Sequence, residues 1–311
     1  MSNLSAFSND LPLCQRNTYK LSRVISYYIG YAVLASVMSV VTTVLNSTFI
    51  MTMLVQKRIQ KSISNRLVMI LCIVDLLQGI STWPLTAANF IMFYKTDLNC
   101  FLLDLNNLLG YCLVALTWWT IFTVSLEQYI AILYPYFYMS KVTFCRLLSP
   151  MVVINILLVI TNIVGKMKLK QKWIVYYRFV IPVVGVPMVL VLVYMNLKII
   201  RCASQVASRM TDTNKEEGKH IKSRAKAAKS CMIVILATIV CYCPSMWYII
   251  YEKVRKPTPF MKNYIKDPSY ISNLFSSVVD PIVYYWRLKS LRKATKDMFA
   301  LVCNNHGIGH Q

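Results

Sequence analysis

Seven apolar stretches, at about 25–55, 64–93, 99–133, 144–165, 174–199, 228–251 and 268–286, run through the chain with short polar gaps between them. A helix rises about 1.5 Å per residue, so crossing a hydrocarbon core of roughly 30 Å takes about 20 mostly apolar residues. Each stretch meets or approaches that length. Backbone amides do not stay unpaired in lipid, and a membrane barrel would need alternating strands of about ten residues instead. The expected fold class is therefore all-α, a seven-transmembrane helix bundle. Composition agrees: 57% hydrophobic and 15% charged residues, with only 8 glycines in 311, are too apolar for an ordinary soluble domain.

An odd number of spans places the two ends of the chain on opposite sides. With the N-terminus outside, 20 of the 34 lysines and arginines fall on the cytoplasmic side, the direction that translocation favours. The bias is modest, because Arg16, Lys20 and Arg23 before the first span nearly balance Lys57, Arg58, Lys61 and Arg66 after it. The organisation expected is an extracellular tail (1–24), the seven-helix domain (25–286) and a short amphipathic eighth helix with a cytoplasmic tail (287–311). No cleavable signal pattern precedes residue 25, so the first span is expected to act as signal anchor. Asn3-Leu4-Ser5 is a glycosylation sequon in the outer tail, whereas Asn46-Ser47-Thr48 lies within a span and is not available for it.

Composition also excludes functions. A net charge of +22 would suit nucleic acid, but the charges fringe lipid-length spans, where anionic lipid accounts for them better. His220, His306 and His310 all lie outside the spans on the inner side, leaving no paired groups for an enzyme. No internal repeat of the kind transporters carry is present.

Short patterns recur at set places in these stretches. Asn46 stands in the first; Asn65 precedes Asp75 by ten residues in the second, with Trp83-Pro84 beyond. The third ends Glu127-Gln128-Tyr129-Ile130-Ala131-Ile132, with Pro135 seven residues after Gln128. Cys241-Tyr242-Cys243-Pro244 marks the sixth and Asp280-Pro281-Ile282-Val283-Tyr284 the seventh, and a basic amphipathic segment runs from Arg287 to Phe299. Prolines and tryptophans alone often only kink helices or mark interfaces, but acids within the bilayer are costly and usually functional. In this order the motifs resemble the rhodopsin-like (class A) G protein-coupled receptors over nearly the whole chain. The resemblance implies a plasma-membrane receptor for an extracellular ligand, whether peptide, lipid or another small molecule. It also implies a heterotrimeric G protein and arrestin as inner partners.

Further roles follow from the resemblance. Asn46, Asp75, Thr117, Ser276 and Asp280 correspond to a sodium pocket; two close carboxylates need a cation or a proton between them. No other cofactor is implied. Asn107, Tyr111, Val114, Met246, Ile249, Tyr270 and Asn273 would line the ligand pocket. Glu127, Gln128, Tyr129, Tyr194, Tyr242, Pro244, Pro281 and Tyr284 would form the switch and G protein face. Cys14 and Cys100 are a candidate outer disulfide replacing the family's usual bridge, and Cys303 is a candidate palmitoylation site.

Several positions depart from the pattern. Gln128 replaces the arginine that pairs with its neighbouring acid, and Arg224 stands at the base of the sixth span where an acid is common. Glu127 and Arg224 could thus form a lock of reversed polarity. Tyr242 replaces a tryptophan, Thr238 an aromatic residue, and Pro187 and Tyr194 are seven apart where the family spacing is eight. A non-coupling, decoy or arrestin-biased receptor is therefore the main alternative, with a transporter far behind. Gly110 excludes the amine-receptor aspartate and Leu274 the retinal lysine. The short cysteine-free second outer loop and Asp280 are similar to melanocortin receptors and their lipid-receptor relatives. The basic rim of Lys166, Lys168, Lys170 and Lys172 would attract an anionic ligand.

Overall fold

Every apolar stretch is helical in the computed structural model, which describes residues 26–56, 62–95, 99–169, 171–209, 215–255, 265–287, 292–293 and 295–296. The helices are α1 (Ser26–Val55), α2 (Ile63–Leu77), α3 (Trp83–Lys95), α4 (Cys100–Leu133) and α5 (Pro135–Lys141). They continue with α6 (Phe144–Leu169), α7 (Gln171–Arg209), α8 (Lys215–Val254), α9 (Lys266–Leu274) and α10 (Ser276–Arg287). Span one is α1, span two is α2 with α3, span three is α4, spans four to six are α6 to α8, and span seven is α9 with α10. Among the described residues six helices are long and apolar enough to cross a membrane. The seventh falls short of an unbroken helix because it is divided at Phe275. α7 and α8, at 39 and 40 residues, extend well past the spans expected from hydrophobicity alone.

Two irregularities have identifiable causes. A π-helical turn, Gln78–Thr82, joins α2 to α3 directly ahead of Pro84. Proline lacks an N–H and its ring crowds the carbonyl four residues back, so a wider turn accommodates it. Ser39 Oγ donates to the Gly79 carbonyl within that turn at 2.7 Å. Gly79 itself faces span one so closely that a Cβ would meet the Thr43 hydroxyl at 2.8 Å and its backbone nitrogen at 3.1 Å. In span seven, Pro281 leaves the Ser277 carbonyl without its helical donor, and Asn46 Nδ2 supplies one across the bundle at 3.0 Å.

Apolar side chains segregate in a way that suits lipid. Val33, Val37, Val40 and Val44 make an exposed stripe along α1, and α6 exposes Val152, Val153, Ile156, Leu157, Ile160 and Ile163. The buried apolar residues form one cluster at the end of the bundle that holds Tyr284 (Met53, Leu67, Leu71, Ile121, Leu192, Ile235, Tyr284) and a second at the end that holds Tyr28 (Tyr28, Ala32, Trp83, Phe90, Ile271, Leu274). Between them lies a buried polar layer. Of the expected eighth helix little is described, but Thr295 is buried and its Oγ1 lies 3.3 Å from Thr52 Oγ1 at the end of α1.

Candidate functional site

The middle layer brings together Asn46, Asp75, Thr117, Ser276 and Asp280, all fully buried. Asn46 Nδ2 donates to the Thr42 and Ser277 carbonyls, fixing its Oδ1 on the opposite side. Ser276 and Ser277 donate to Asn273 and Leu274 carbonyls one turn back, and Ser277 Oγ accepts from Trp83 Nε1 at 3.3 Å. Asp75 and Asp280 interact electrostatically with each other and with Tyr242. Thr238 Oγ1 lies 2.9 Å from the Val234 carbonyl and 3.4 Å from Asp280 Oδ1. The hydroxyl that replaces an aromatic ring on span six thus reaches the carboxylate.

Among the described residues, both oxygens of Asp75, Oδ2 of Asp280 and Oδ1 of Asn46 have no hydrogen-bond donor. Each such buried group costs about 1–3 kcal/mol, more when charged. Four acceptor oxygens without donors, three of them from the two carboxylates, are a set of hard oxygens of the kind a small cation takes. Among the described residues no group of three or more His, Cys, Asp or Glu could hold a metal. Any cation here therefore rests on the two carboxylates with amide and hydroxyl oxygens, and the residues present fit a sodium ion.

Gln78 belongs to this layer although the motifs did not single it out. Its Nε2 donates to Thr117 Oγ1 at 3.1 Å, and Thr117 in turn donates to the Leu113 carbonyl. Its position three residues after Asp75 was the available signal, since that spacing returns to the same helix face. Tyr242 packs edge-on against Trp118 with ring centroids 5.0 Å apart, so two aromatic residues cap the layer from spans three and six.

At the end of the bundle where α4 meets α5, Glu127 and Gln128 are both buried. Tyr138, on the short helix α5, donates its hydroxyl to Glu127 Oε1 at 2.6 Å. Gln128 Nε2 reaches Ser64 Oγ on span two at 3.4 Å. The chain turns from α4 into α5 at Tyr134, with Pro135 preset for the first helical position, and this turn swings Tyr138 back beneath α4. Arg224 lies in α8, with its side chain outside the described residues. Tyr129 packs near Tyr134, their centroids 6.2 Å apart, and Tyr284 packs edge-on against Phe49. Pro244 lies inside α8 and Pro281 inside α10.

Tyr194 does not join this group. It is 56% exposed and accepts from Lys198 Nζ at 3.1 Å, whereas Met195 and Asn196 beside it are buried. A helix turns about 100° per residue, so the seven-residue spacing from Pro187 rotates the tyrosine off the inward face.

Toward the opposite end of the bundle, Tyr270 Oη would lie 2.8 Å from a Cβ at Gly110, with Thr82 Cγ2 3.8 Å away. The glycine that takes the place of the amine-receptor aspartate therefore makes room for the Tyr270 hydroxyl. Tyr111 interacts with Tyr270, and Ser245 Oγ donates to Asn273 Oδ1 at 2.7 Å. Val114, Met246 and Ile249 are half-buried. Asn107 is exposed; its neighbour Asn106 is the buried asparagine, exchanging hydrogen bonds with Thr86 of span two at 3.3–3.4 Å.

Asn99 caps α4, accepting from the Phe101 and Leu102 amides, and so fixes Cys100 at the first position of that helix. Cys100 is disulfide-bonded, while Cys72, Cys112, Cys145, Cys202, Cys241 and Cys243 are free. Cys14, Asn3 and Cys303 lie outside the described residues, as do the side chains of the four loop lysines.

A sequence model of the family described as 7 transmembrane receptor (rhodopsin family) matches residues 45–284. No curated protein matches the chain. The narrower likeness to melanocortin and lipid receptors accordingly rests on the short outer loop and Asp280 alone.

Proposed function

The chain belongs to the rhodopsin family of seven-transmembrane receptors, and from that premise we propose a receptor whose cytoplasmic switch runs on hydrogen bonds where its relatives use an arginine ion pair. It is a multi-pass membrane protein of a family that transduces extracellular ligands through G proteins. In this reading the N-terminus is extracellular and the ligand enters between spans two, three, six and seven. Ligand binding repacks Tyr242 against Trp118 and moves the base of span six away from span three to admit a G protein.

The observation that carries the proposal is the pair of contacts made by Glu127 and Gln128. Neutral hydrogen bonds contribute about 0.5–1.5 kcal/mol each, and the Gln128–Ser64 bond, at 3.4 Å, belongs at the bottom of that range. The bond from Tyr138 takes over part of the role of the missing arginine. Arg224 on span six is the second partner we assign to Glu127. The sodium pocket of Asn46, Asp75, Thr117, Ser276 and Asp280 is assigned on the unpaired acceptors described above; a sodium ion bound there would offset one of the two negative charges of Asp75 and Asp280 and hold spans two and seven together. We also assign Cys14 as the partner of Cys100, Asn3 as the glycosylated residue and Cys303 as the palmitoylated one, with arrestin as a further inner partner.

Gln128 equally motivates a second reading, a receptor that binds ligand without activating G protein. One cell assay separates the two: basal and ligand-library G protein activation for the native chain against Gln128→Arg. Activation by the native chain, raised in the variant, supports an attenuated coupler. Silence in both, with ligand still bound at the surface, supports the non-coupling receptor and ends the first reading.

A further inference from the structure

The two large apolar side chains most exposed among the described residues sit together on the short helix α5: Tyr136 at 89% and Met139 at 82%. Tyr134 and Phe137 beside them are each more than half exposed. A patch so open at the end of a bundle marks a contact surface. No acid occurs between Glu127 and Asp212, whereas Lys141 follows two residues after Met139, so added negative charge meets no like neighbour along this stretch.

α5 holds its shape weakly. It has seven residues, against the roughly 12–15 that an isolated helix needs in water. None of them is buried, no side chain caps its first turn, and no acid stands there to meet the helix dipole. Tyr138 ties it to α4 through Glu127 at 2.6 Å, and Arg146 Nη1 ties its last residue to α6 by donating to the Lys141 carbonyl at 2.7 Å. Releasing the first tie lets residues 134–139 extend while the second keeps their far end in place. Once extended, the three steps from Tyr136 to Met139 cover about 10 Å.

We infer that Tyr136 is a tyrosine phosphorylation site and that its phosphotyrosine, with Met139 three residues on, docks an SH2 domain on the extended segment. The inference goes beyond G protein coupling and rests on the extracellular N-terminus proposed above, which puts α5 in the cytosol with ATP and tyrosine kinases. In the transfer, Tyr136 Oη bonds to the γ-phosphorus of ATP and the bond from that phosphorus to the β–γ bridging oxygen breaks. ADP leaves, and the phenolic proton passes to the base of the kinase. The product carries about −1.5 to −2 charges and three acceptor oxygens, which an arginine cluster reads, while the unbranched Met139 fills an apolar pocket. Kinase and reader both take the segment extended, so Tyr138 leaves Glu127, and a bound reader holds that switch contact open.

The test uses the full chain, purified and incubated with a recombinant tyrosine kinase domain, ATP and magnesium, with phosphate mapped by mass spectrometry. Phosphate is expected on Tyr136. Tyr138→Phe unties α5 without removing the site and is expected to speed the addition several-fold. An isolated SH2 domain selective for methionine at the third position after phosphotyrosine is expected to bind the phosphorylated chain. Its affinity should fall roughly tenfold or more in Met139→Ala, and binding should vanish in Tyr136→Phe. An unmodified Tyr136, or a reader affinity equal in Met139→Ala and the native chain, overturns the docking site; an unchanged rate in Tyr138→Phe overturns its link to the switch. Orientation is read apart from these, by antibody access to an N-terminal tag on intact cells. A hidden tag overturns the extracellular N-terminus, and the site in cells with it.

Discussion

Replacing Tyr138 by Phe deletes one hydroxyl from the junction of α5 and α4. That hydroxyl donates a 2.6 Å hydrogen bond to the carboxylate of Glu127, a residue only 3% exposed. Hydrogen bonds to a charged partner contribute about 1.5–3 kcal/mol, and the partial exposure of Tyr138 places this one near the lower figure. If the bond belongs to the resting arrangement alone, its loss shifts the conformational equilibrium about tenfold for each 1.4 kcal/mol. The same loss lowers the unfolding midpoint by a few degrees, at about 2–4 °C per kcal/mol for a large domain. Thermal unfolding of the purified chain reads the second effect and basal nucleotide exchange on a G protein panel the first. Glu127→Gln removes the charge from the other end of the bond, so the double variant should lose less than the two single losses added. An unfolding midpoint and basal exchange both equal to native in Tyr138→Phe, or strict additivity in the cycle, would refute the reasoning.

Three further outcomes follow from the packing. Gly79→Ala presses a methyl against the Thr43 backbone nitrogen, which no rotamer change relieves. Overpacking of about 1–3 kcal/mol should outweigh the roughly 0.5–1 kcal/mol that alanine gains in a helix, lowering the unfolding midpoint, with partial recovery in Thr43→Ala. Gly110→Ala displaces the Tyr270 hydroxyl at a cost of the same order, and adding Tyr270→Phe should restore most of the lost midpoint. Tyr194→Phe should change stability by less than about 0.5 kcal/mol and leave basal signalling unaltered, because its hydroxyl contacts Lys198 on the exposed face of α7, away from the bundle interior; a clear change in either would return Tyr194 to the switch.

The spans were legible because lipid demands both a length and a composition; six helices satisfy both, and the seventh stretch folds as two shorter helices divided at Phe275. The buried layer was legible for a related reason: Asp75 and Asp280 are costly in a bilayer wherever they stand, so their presence marks a site before any geometry is known. Rotational register was not legible in the same way. Tyr194 and Asn107 are each displaced by one position from the buried residues Met195 and Asn106, and one residue is about 100° of helix. Motif spacing fixes such angles only where the helix is regular. Glu127–Tyr138 was hidden for another reason: the contact depends on how α5 folds back from Tyr134, a matter of loop path that neither hydrophobicity nor helical period encodes. Gln78 escaped notice because a glutamine three residues from an aspartate looks unremarkable until Thr117 is found opposite it.

The π-turn at Gln78–Thr82 gives the chain an unusual sensitivity to length. Loss of a single residue there would let the segment relax into ordinary α-helix while turning the outer half of span two by about 100° against its inner half. Trp83 would leave Ser277, and Thr86 would leave Asn106, although no contacting residue had been replaced. Within this five-residue turn a deletion acts as a rotation, so sequences that gain or lose the extra residue would present different side chains to an incoming ligand from an otherwise unchanged bundle.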